Sequence, residues 1–282
     1  MHSLSGPDRS GRIVYIENHM GNNAKHSLKL TSIESFQDEL IFSRQGDALW
    51  DQVIGENIAL SPVGGLVSFI SKLSPEQMNK PDAYLKSGSL EIWNVVTKSK
   101  LETDVLALDA GLSWFPHGKK LAYTKLTIKT EIPQLDSGCN IRNSFGNEWQ
   151  KIPAVFVYDI SDQYSTFLYA GWHSVVSADG KSVLVSGFEK NHCLVNVETE
   201  DAVPIDWPNR YGRVIAFTGS NSILHIGLPT TGIKPKWTEH NSPLVGPKSM
   251  FSVKLTDLSN GAFQTVLDYV DPRREISYGQ MY

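Results

Sequence analysis

Short stretches of alternating apolar and polar residues recur along the chain, paired across turns built on Pro, Asp or Gly. Ile58-Ala59-Leu60 passes through Ser61-Pro62-Val63-Gly64-Gly65 into Leu66-Val67-Ser68-Phe69. The phrase returns as Leu112-Ser113-Trp114, Phe115-Pro116-His117-Gly118-Lys119 and Lys120-Leu121-Ala122-Tyr123. It returns again as Ser174-Val175-Val176, Ser177-Ala178-Asp179-Gly180-Lys181 and Ser182-Val183-Leu184-Val185. A period of two bounded by turn residues predicts strands joined by tight hairpins.

Each strand pair is followed by a third alternating stretch and a polar turn. These stretches are Leu90–Val95, Val155–Ile160, Cys193–Val197 and Phe251–Leu255. A fourth strand follows at Leu101–Thr103, Thr166–Tyr169, Val203–Ile205 and Phe263–Leu267. Weaker copies open at His2–Ile16 and at Arg213–Ile226. The turn glycines Gly11, Gly64, Gly118 and Gly180 lie 53, 54 and 62 residues apart, and Gly219 follows 39 later. A four-stranded antiparallel unit repeated at such a period predicts an all-β fold, a single β-propeller. The units fall near 2–44, 57–104, 111–170, 173–206 and 212–268, within one domain spanning 1–282. Asp271–Gly279 looks like the start of another unit. It is expected either to close a ring of five blades, as a strand within 271–282, or to begin a sixth.

The phrase Leu112–Thr124 resembles the WSPDGKKLAFT element of the TolB-like (WD40-like, PD40) propeller repeats. Val155-Phe156-Val157-Tyr158-Asp159-Ile160 resembles their IYVMDL element. His117 stands where those repeats usually carry Asp, and Val63 breaks the second copy. The resemblance implies a propeller. It leaves the role open, because such repeats occur in periplasmic scaffold proteins and in peptidase-associated domains. Ile92-Trp93-Asn94 is close to the ending of WD repeats, but no Gly-His partner precedes it at their spacing.

Composition narrows the classes. With 40% hydrophobic and 20% charged residues, the 282-residue chain has globular proportions. A net charge of -4 and scattered Lys and Arg predict no nucleic-acid partner. No apolar run approaches a membrane span, so no membrane insertion is expected. There is no apolar leader in the first twelve residues and no Asn-x-Ser/Thr acceptor. The expected address is cytoplasmic, or periplasmic or secreted if a signal peptide has been removed. Cys139 falls in a polar insertion and Cys193 in a predicted strand. Their spacing marks neither a metal site nor a disulfide framework, and no bridge between them is expected.

Chemistry-bearing motifs are scarce. There is no Gly-x-Ser-x-Gly elbow, no His-Glu-x-x-His and no Gly-rich phosphate loop. The predicted innermost strands are apolar or hydroxyl-bearing, without the ring of carboxylates that a catalytic channel needs. Asp136, Glu148 and Glu239 are loop carboxylates that nothing in the sequence brings together. His192 and His225 read as structural residues in or beside strands. No catalytic residue, metal or cofactor is predicted.

The extra length falls between second and third strands, at Glu17–His26, Ser71–Ser89, Lys125–Pro153 and Leu228–Lys248. In a propeller those loops share one face with the blade-to-blade connections, and long loops on a rigid scaffold carry binding residues. Candidate binding residues on that face are Trp50, Asp51, Asn140, Arg142, Trp149, Trp172, His173, Arg210, Tyr211, Trp237 and His240. With Trp207 in a blade connection, five of the seven tryptophans map to that face: Trp50, Trp149, Trp172, Trp207 and Trp237. Trp and Arg anchor protein interfaces, and Trp also stacks on sugar rings. Each Trp has an alternative use as a wedge between blades. The sequence therefore predicts a non-catalytic scaffold for a protein or peptide partner, with a carbohydrate binder or degenerate glycosidase as the alternative.

Overall fold

A computed structural model describes residues 3–5, 8–19, 25–45, 58–72, 87–108, 111–133, 139, 149–187, 192–205, 214–219, 221–227, 251–260 and 262–270. These residues build five small antiparallel sheets, a five-bladed β-propeller, with the strands of each blade in chain order. Blade 1 holds β1 (Ser3–Ser5), β2 (Arg12–His19), β3 (Lys25–Ser32) and β4 (Asp38–Gln45). Blade 2 holds β5 (Ile58–Leu60), β6 (Leu66–Lys72), β7 (Ser87–Asn94), β8 (Ser99–Leu101) and β9 (Leu106–Leu108). Blade 3 holds β10 (Ser113–Trp114), β11 (Lys120–Ile128), β12 (Lys151–Asp159) and β13 (Tyr164–Ala170). Blade 4 holds β14 (His173–Val176), β15 (Ser182–Ser186), β16 (His192–Asn196) and β17 (Ala202–Ile205). Blade 5 holds β18 (Val214–Phe217), β19 (Ser222–Gly227), β20 (Phe251–Asp257) and β21 (Phe263–Val270). The stretch 271–282, expected as a closing or sixth-blade strand, lies outside the described residues.

Alternation explains how the blades stack. Val14, Ile16, Leu28 and Leu30 share one face of blade 1 and pack on Leu60, Val67 and Phe69 of blade 2. Phe42 extends this seam, stacked on Trp93 with centroids 4.4 Å apart. The largest cluster runs through blades 2, 3 and 4, from Ala59 and Leu90 to Val185 and Cys193. Leu184, Phe217 and Ile223 join blades 4 and 5. Trp114, wholly buried, donates its indole N–H to the Ala59 carbonyl of the neighbouring blade at 3.0 Å. A buried indole needs such an acceptor, and here the acceptor also fixes the seam.

In a four-stranded meander the first and third connections of each blade emerge on one face. The second connections and the passages between blades emerge on the other. The first, or turn, face is interlocked. Gly118, at φ 68°, seats so closely on blade 2 that a Cβ would collide with Val63 and lie 2.6 Å from Ser61 Oγ. Arg9 reaches two blades at once: its N–H donates to Pro62 O at 3.0 Å and its guanidinium to Pro116 O at 3.3 Å. Its neighbour Asp8 is buried and accepts from Ser10 and Arg12, with Arg12 Nη2 2.8 Å away. Burial alone would raise the Asp8 carboxyl. The Arg12 and Ser10 donors outweigh that and hold it below the usual carboxylate range.

On the second, or insertion, face the ladders run further than the sequence suggests. Glu17 pairs with Ser27, Lys72 with Gly88, and Ile128 with Lys151, so three of the expected loops have strand at both ends. The extensions of blades 1 and 2 are mostly polar, with Ser27, Ser71 and Ser89 buried, whereas that of blade 3 carries Leu126, Ile128 and the wholly buried Ile152. Backbone pairing does not need apolar side chains to continue. The connections proper are 20–24, 73–86, 129–150 and 228–250.

Candidate functional site

The insertion of blade 3 leaves β11 through a short 3-10 turn, Lys129–Glu131, and is pinned at its base. Lys129 N–H donates to Gln150 O at 2.8 Å, and Ile132 is buried. Contrary to the sequence expectation, Cys139 is covalently joined to Cys193. Their Cα atoms are 6.0 Å apart, a usual separation for a disulfide, across 54 residues of sequence. The spacing gave no hint because the partner lies in the third strand of the next blade. Only the ring brings β16 beside an insertion of blade 3. Tyr169 adds a second tether by donating its hydroxyl to the Cys139 carbonyl. Both cysteines are buried, so the insertion is stapled to the scaffold from inside.

The predicted binding residues meet different fates. Trp149 is exposed at 37%, at the return of this insertion into β12. Trp172 is half-buried against the main core. Its N–H donates to Ser186 O at 2.7 Å, and its carbonyl accepts the Thr124 hydroxyl at 2.9 Å. These two backbone bonds tie the connection to blades 3 and 4, and the side chain packs against the main core. His173, half-buried, opens β14 opposite Ser186 and stands beside Gly111, on the passage from blade 2 to blade 3. Trp50, Asp51, Asn140, Arg142, Arg210, Tyr211, Trp237 and His240 lie outside the described residues, as do Asp136, Glu148 and Glu239. Among the described residues, no three His, Cys, Asp or Glu side chains gather as a metal would require.

Two polar features fall outside the sequence-predicted set. At the seam of blades 1 and 2, Glu91 is buried on the β7 face that looks toward blade 1. It accepts from Arg44 Nη2 at 3.1 Å and from Trp93 Nε1 at 2.9 Å, with Lys100 Nζ at 3.9 Å. Burial alone would raise this carboxyl; the Trp93 and Ser71 donors and the Arg44 and Lys100 cations hold it below its usual value. A carboxylate at an alternating position between Leu90 and Ile92 was the signal for it. Its role is a blade-to-blade joint.

The second feature is a cleft of about 1130 Å³ between the outer edge of blade 2 and blade 3. It exists because the fourth strand of blade 2 is split. After β8, residues 102–105 leave the ladder; the Thr103 hydroxyl donates to Leu90 O and Leu90 N–H to Val105 O at 2.9 Å, before β9 resumes pairing with β7. The lining includes Lys100, Glu102, Tyr123, Thr127, Tyr158 and Tyr164. Burial pushes the Tyr123 phenol up to about 12, so it stays protonated at neutral pH and donates to Ser165 Oγ at 3.0 Å. Thr127 Oγ1 is buried without a hydrogen-bond partner in the protein. The sequence did not single it out, because the expected fourth strands Leu101–Thr103 and Val203–Ile205 are equally short.

The fold and these features define a five-bladed propeller with one interlocked face and one face carrying a stapled insertion. No family model and no curated protein matches the chain. Among solved structures, TolB from Acinetobacter baumannii superposes with a TM-score of 0.57 at 13% identity, over 95% of this chain and 54% of that one. The chain therefore spans about half the length of that protein. The β-propeller domain of the Trilobed protease from Pyrococcus furiosus, described as having an open velcro topology, gives a TM-score of 0.53 at 12% identity, over 94% and 72%. Oligogalacturonate lyase in complex with manganese gives 0.51 at 8%, over 95% and 67%. At these identities the likeness is one of fold.

Proposed function

We propose that this chain is a non-catalytic propeller scaffold that binds a protein or peptide partner on its insertion-rich face. The observation that carries the reading is the Cys139–Cys193 staple. A disulfide inside a long insertion presents that segment from a fixed base, which lowers the ordering entropy that binding must overcome. The exposed indole of Trp149 stands at the end of the same insertion and suits an interface anchor. The staple also supports maturation in an oxidising compartment, which favours a periplasmic or secreted address over a cytoplasmic one.

The test is affinity capture from the source extract, followed by titration of each identified protein in purified form. Residues 134–148 are replaced by a Gly-Ser linker in a Cys193→Ala background, and the control is the full chain with Cys139→Ala and Cys193→Ala. A partner bound by the control and lost on replacement supports the reading. Equal binding by both chains refutes it.

The cleft between blades 2 and 3 favours a second reading, a carbohydrate binder. Tyrosine faces, carboxylates and the unsatisfied Thr127 hydroxyl are the groups that a polyhydroxylated ligand engages. Titration of neutral oligosaccharides against the protein and a Tyr164→Ala variant separates the two readings, because only the second loses a sugar response.

A further inference from the structure

The cleft between blades 2 and 3 holds charges that the protein itself leaves unbalanced. Five of its lining residues are charged: Lys100, Glu102, Asp104, Lys125 and Glu131. Three are already engaged. Lys100 Nζ stands 3.9 Å from the buried Glu91 carboxylate, and Lys125 Nζ lies over the Phe156 ring, 4.1 Å from its centroid. Asp104 also has a partner. Glu102 and Glu131 are exposed, and neither carboxylate has an ion pair or a hydrogen bond among the described residues. The charge left for a ligand is therefore negative.

The two free carboxylates stand on different walls. Glu102 opens the segment that leaves the blade 2 ladder, which Thr103 and Val105 anchor to Leu90. Glu131 ends the 3-10 turn after β11, where Lys129 N–H is bound to Gln150 O at 2.8 Å. Both positions are thus fixed by hydrogen bonds to neighbouring backbone. Burial raises the Tyr123 and Tyr158 phenols, so both stay neutral and leave the balance unchanged. The remaining lining suits a sugar: the Tyr164 ring is 68% exposed, and Thr127 Oγ1 is buried without a partner in the protein. At about 1130 Å³ the cleft exceeds the roughly 300–1000 Å³ that holds a single drug-sized molecule, so it accommodates a chain of several rings.

We propose that this cleft selects oligosaccharides of amino sugars. Their protonated amines meet Glu102 and Glu131, while their hydroxyls and ring faces meet Thr127 and Tyr164. This selectivity rests on the carbohydrate reading of the cleft and adds a charge to it. A neutral sugar leaves both carboxylates to water, and a uronic acid brings a like charge against them.

The test is calorimetric titration of the full chain at pH 6 with a β-1,4-linked glucosamine tetramer, with cellotetraose, which has the same linkage without amines, and with spermine. The glucosamine tetramer is expected to bind about tenfold more tightly than cellotetraose in 50 mM NaCl. That preference should shrink in 300 mM NaCl and vanish in the Glu102→Gln/Glu131→Gln double variant. The double variant should keep the wild-type affinity for cellotetraose and the wild-type melting temperature, which separates lost selectivity from lost fold. Equal affinity for the two sugars, or a preference that the double variant retains, overturns the selectivity while the carbohydrate reading stands. Spermine bound as tightly as the glucosamine tetramer also overturns it, in favour of a site for bare polycations. Binding of neither sugar overturns the carbohydrate reading itself, and the selectivity with it.

Discussion

Breaking the Cys139–Cys193 bond is the perturbation whose size follows most directly from the fold. The two cysteines enclose 54 residues of chain, which cover β12 to β15 and parts of two blades. In the loop-closure treatment a bond across such a loop removes about 14 cal/mol/K from the unfolded chain, or about 4 kcal/mol at 25 °C. Unfolding entropy near 2.1 cal/mol/K per residue gives about 0.6 kcal/mol/K for this chain, so the expected fall in melting temperature is roughly 7 °C. Urea midpoints and thermal melts are compared for the oxidised wild type, the reduced wild type and the Cys139→Ala/Cys193→Ala double variant. The reduced protein reports the bond alone. The double variant adds the lost packing of a wholly buried Cys193 sulfur, on the order of 1 kcal/mol. Thiol titration of denatured, never-reduced protein is expected to find none. Two reactive thiols in that sample, or an oxidised and a reduced protein that melt together, would refute the assignment and the compartment drawn from it.

Other perturbations follow from the seams and turns. Gly118→Ala forces a side chain into a left-handed backbone and into Val63 of blade 2, and is expected to cost about 2 kcal/mol or more in urea unfolding. Arg44→Ala and Glu91→Ala are each expected to destabilise by about 3 kcal/mol at pH 7, and the double variant by less than the sum, because they remove one joint. The Glu91 contribution is present above its ordinary value of 4.5 and is lost as pH falls through the lower folded value. Burial pushes the His192 imidazole down to about 4 from 6.5. The unfolded chain therefore takes up a proton that the folded chain refuses. Stability is full above pH 6.5 and declines by up to about 3 kcal/mol as pH falls to 4. A His192→Gln variant should show a shallower decline across that window in urea midpoints; an unchanged slope would sink the reasoning.

The five blades were legible because a propeller writes itself into sequence locally. Ile58–Phe69, Leu112–Tyr123 and Ser174–Val185 each contain both arms of a hairpin and the turn between them, so a window of a dozen residues suffices. What the sequence withheld is what the ring makes from distant segments. Glu91 meets Arg44 across 47 residues, Trp114 meets Ala59 across 55, and Cys139 meets Cys193 across 54. None of these pairs has a spacing rule, because each depends on how one blade faces the next. Trp172 shows the same limit from the other side. Its place in a blade connection was readable, whereas the tie that its backbone makes between blades 3 and 4 depends on Thr124 and Ser186.

Repetition does supply one tool that a single-copy fold lacks. Equivalent positions in different blades bear the same backbone geometry, so each blade is a control for the others. At the fourth-strand hairpin the shared φ near 52–61° isolates the side chain as the only variable, and Phe36 departs from Lys98, Gln163 and Glu200. At the outer edge the variable is strand length. The three-residue β8 departs from the longer fourth strands of the other four blades, and the cleft of about 1130 Å³ opens where it falls short. At the insertion face the variable is covalent, with one insertion bonded to the next blade. Three departures on three surfaces of one rigid ring are separable by mutation, because blade geometry holds each at a fixed distance from the others. A substitution at one is expected to leave the geometry of the other two unchanged.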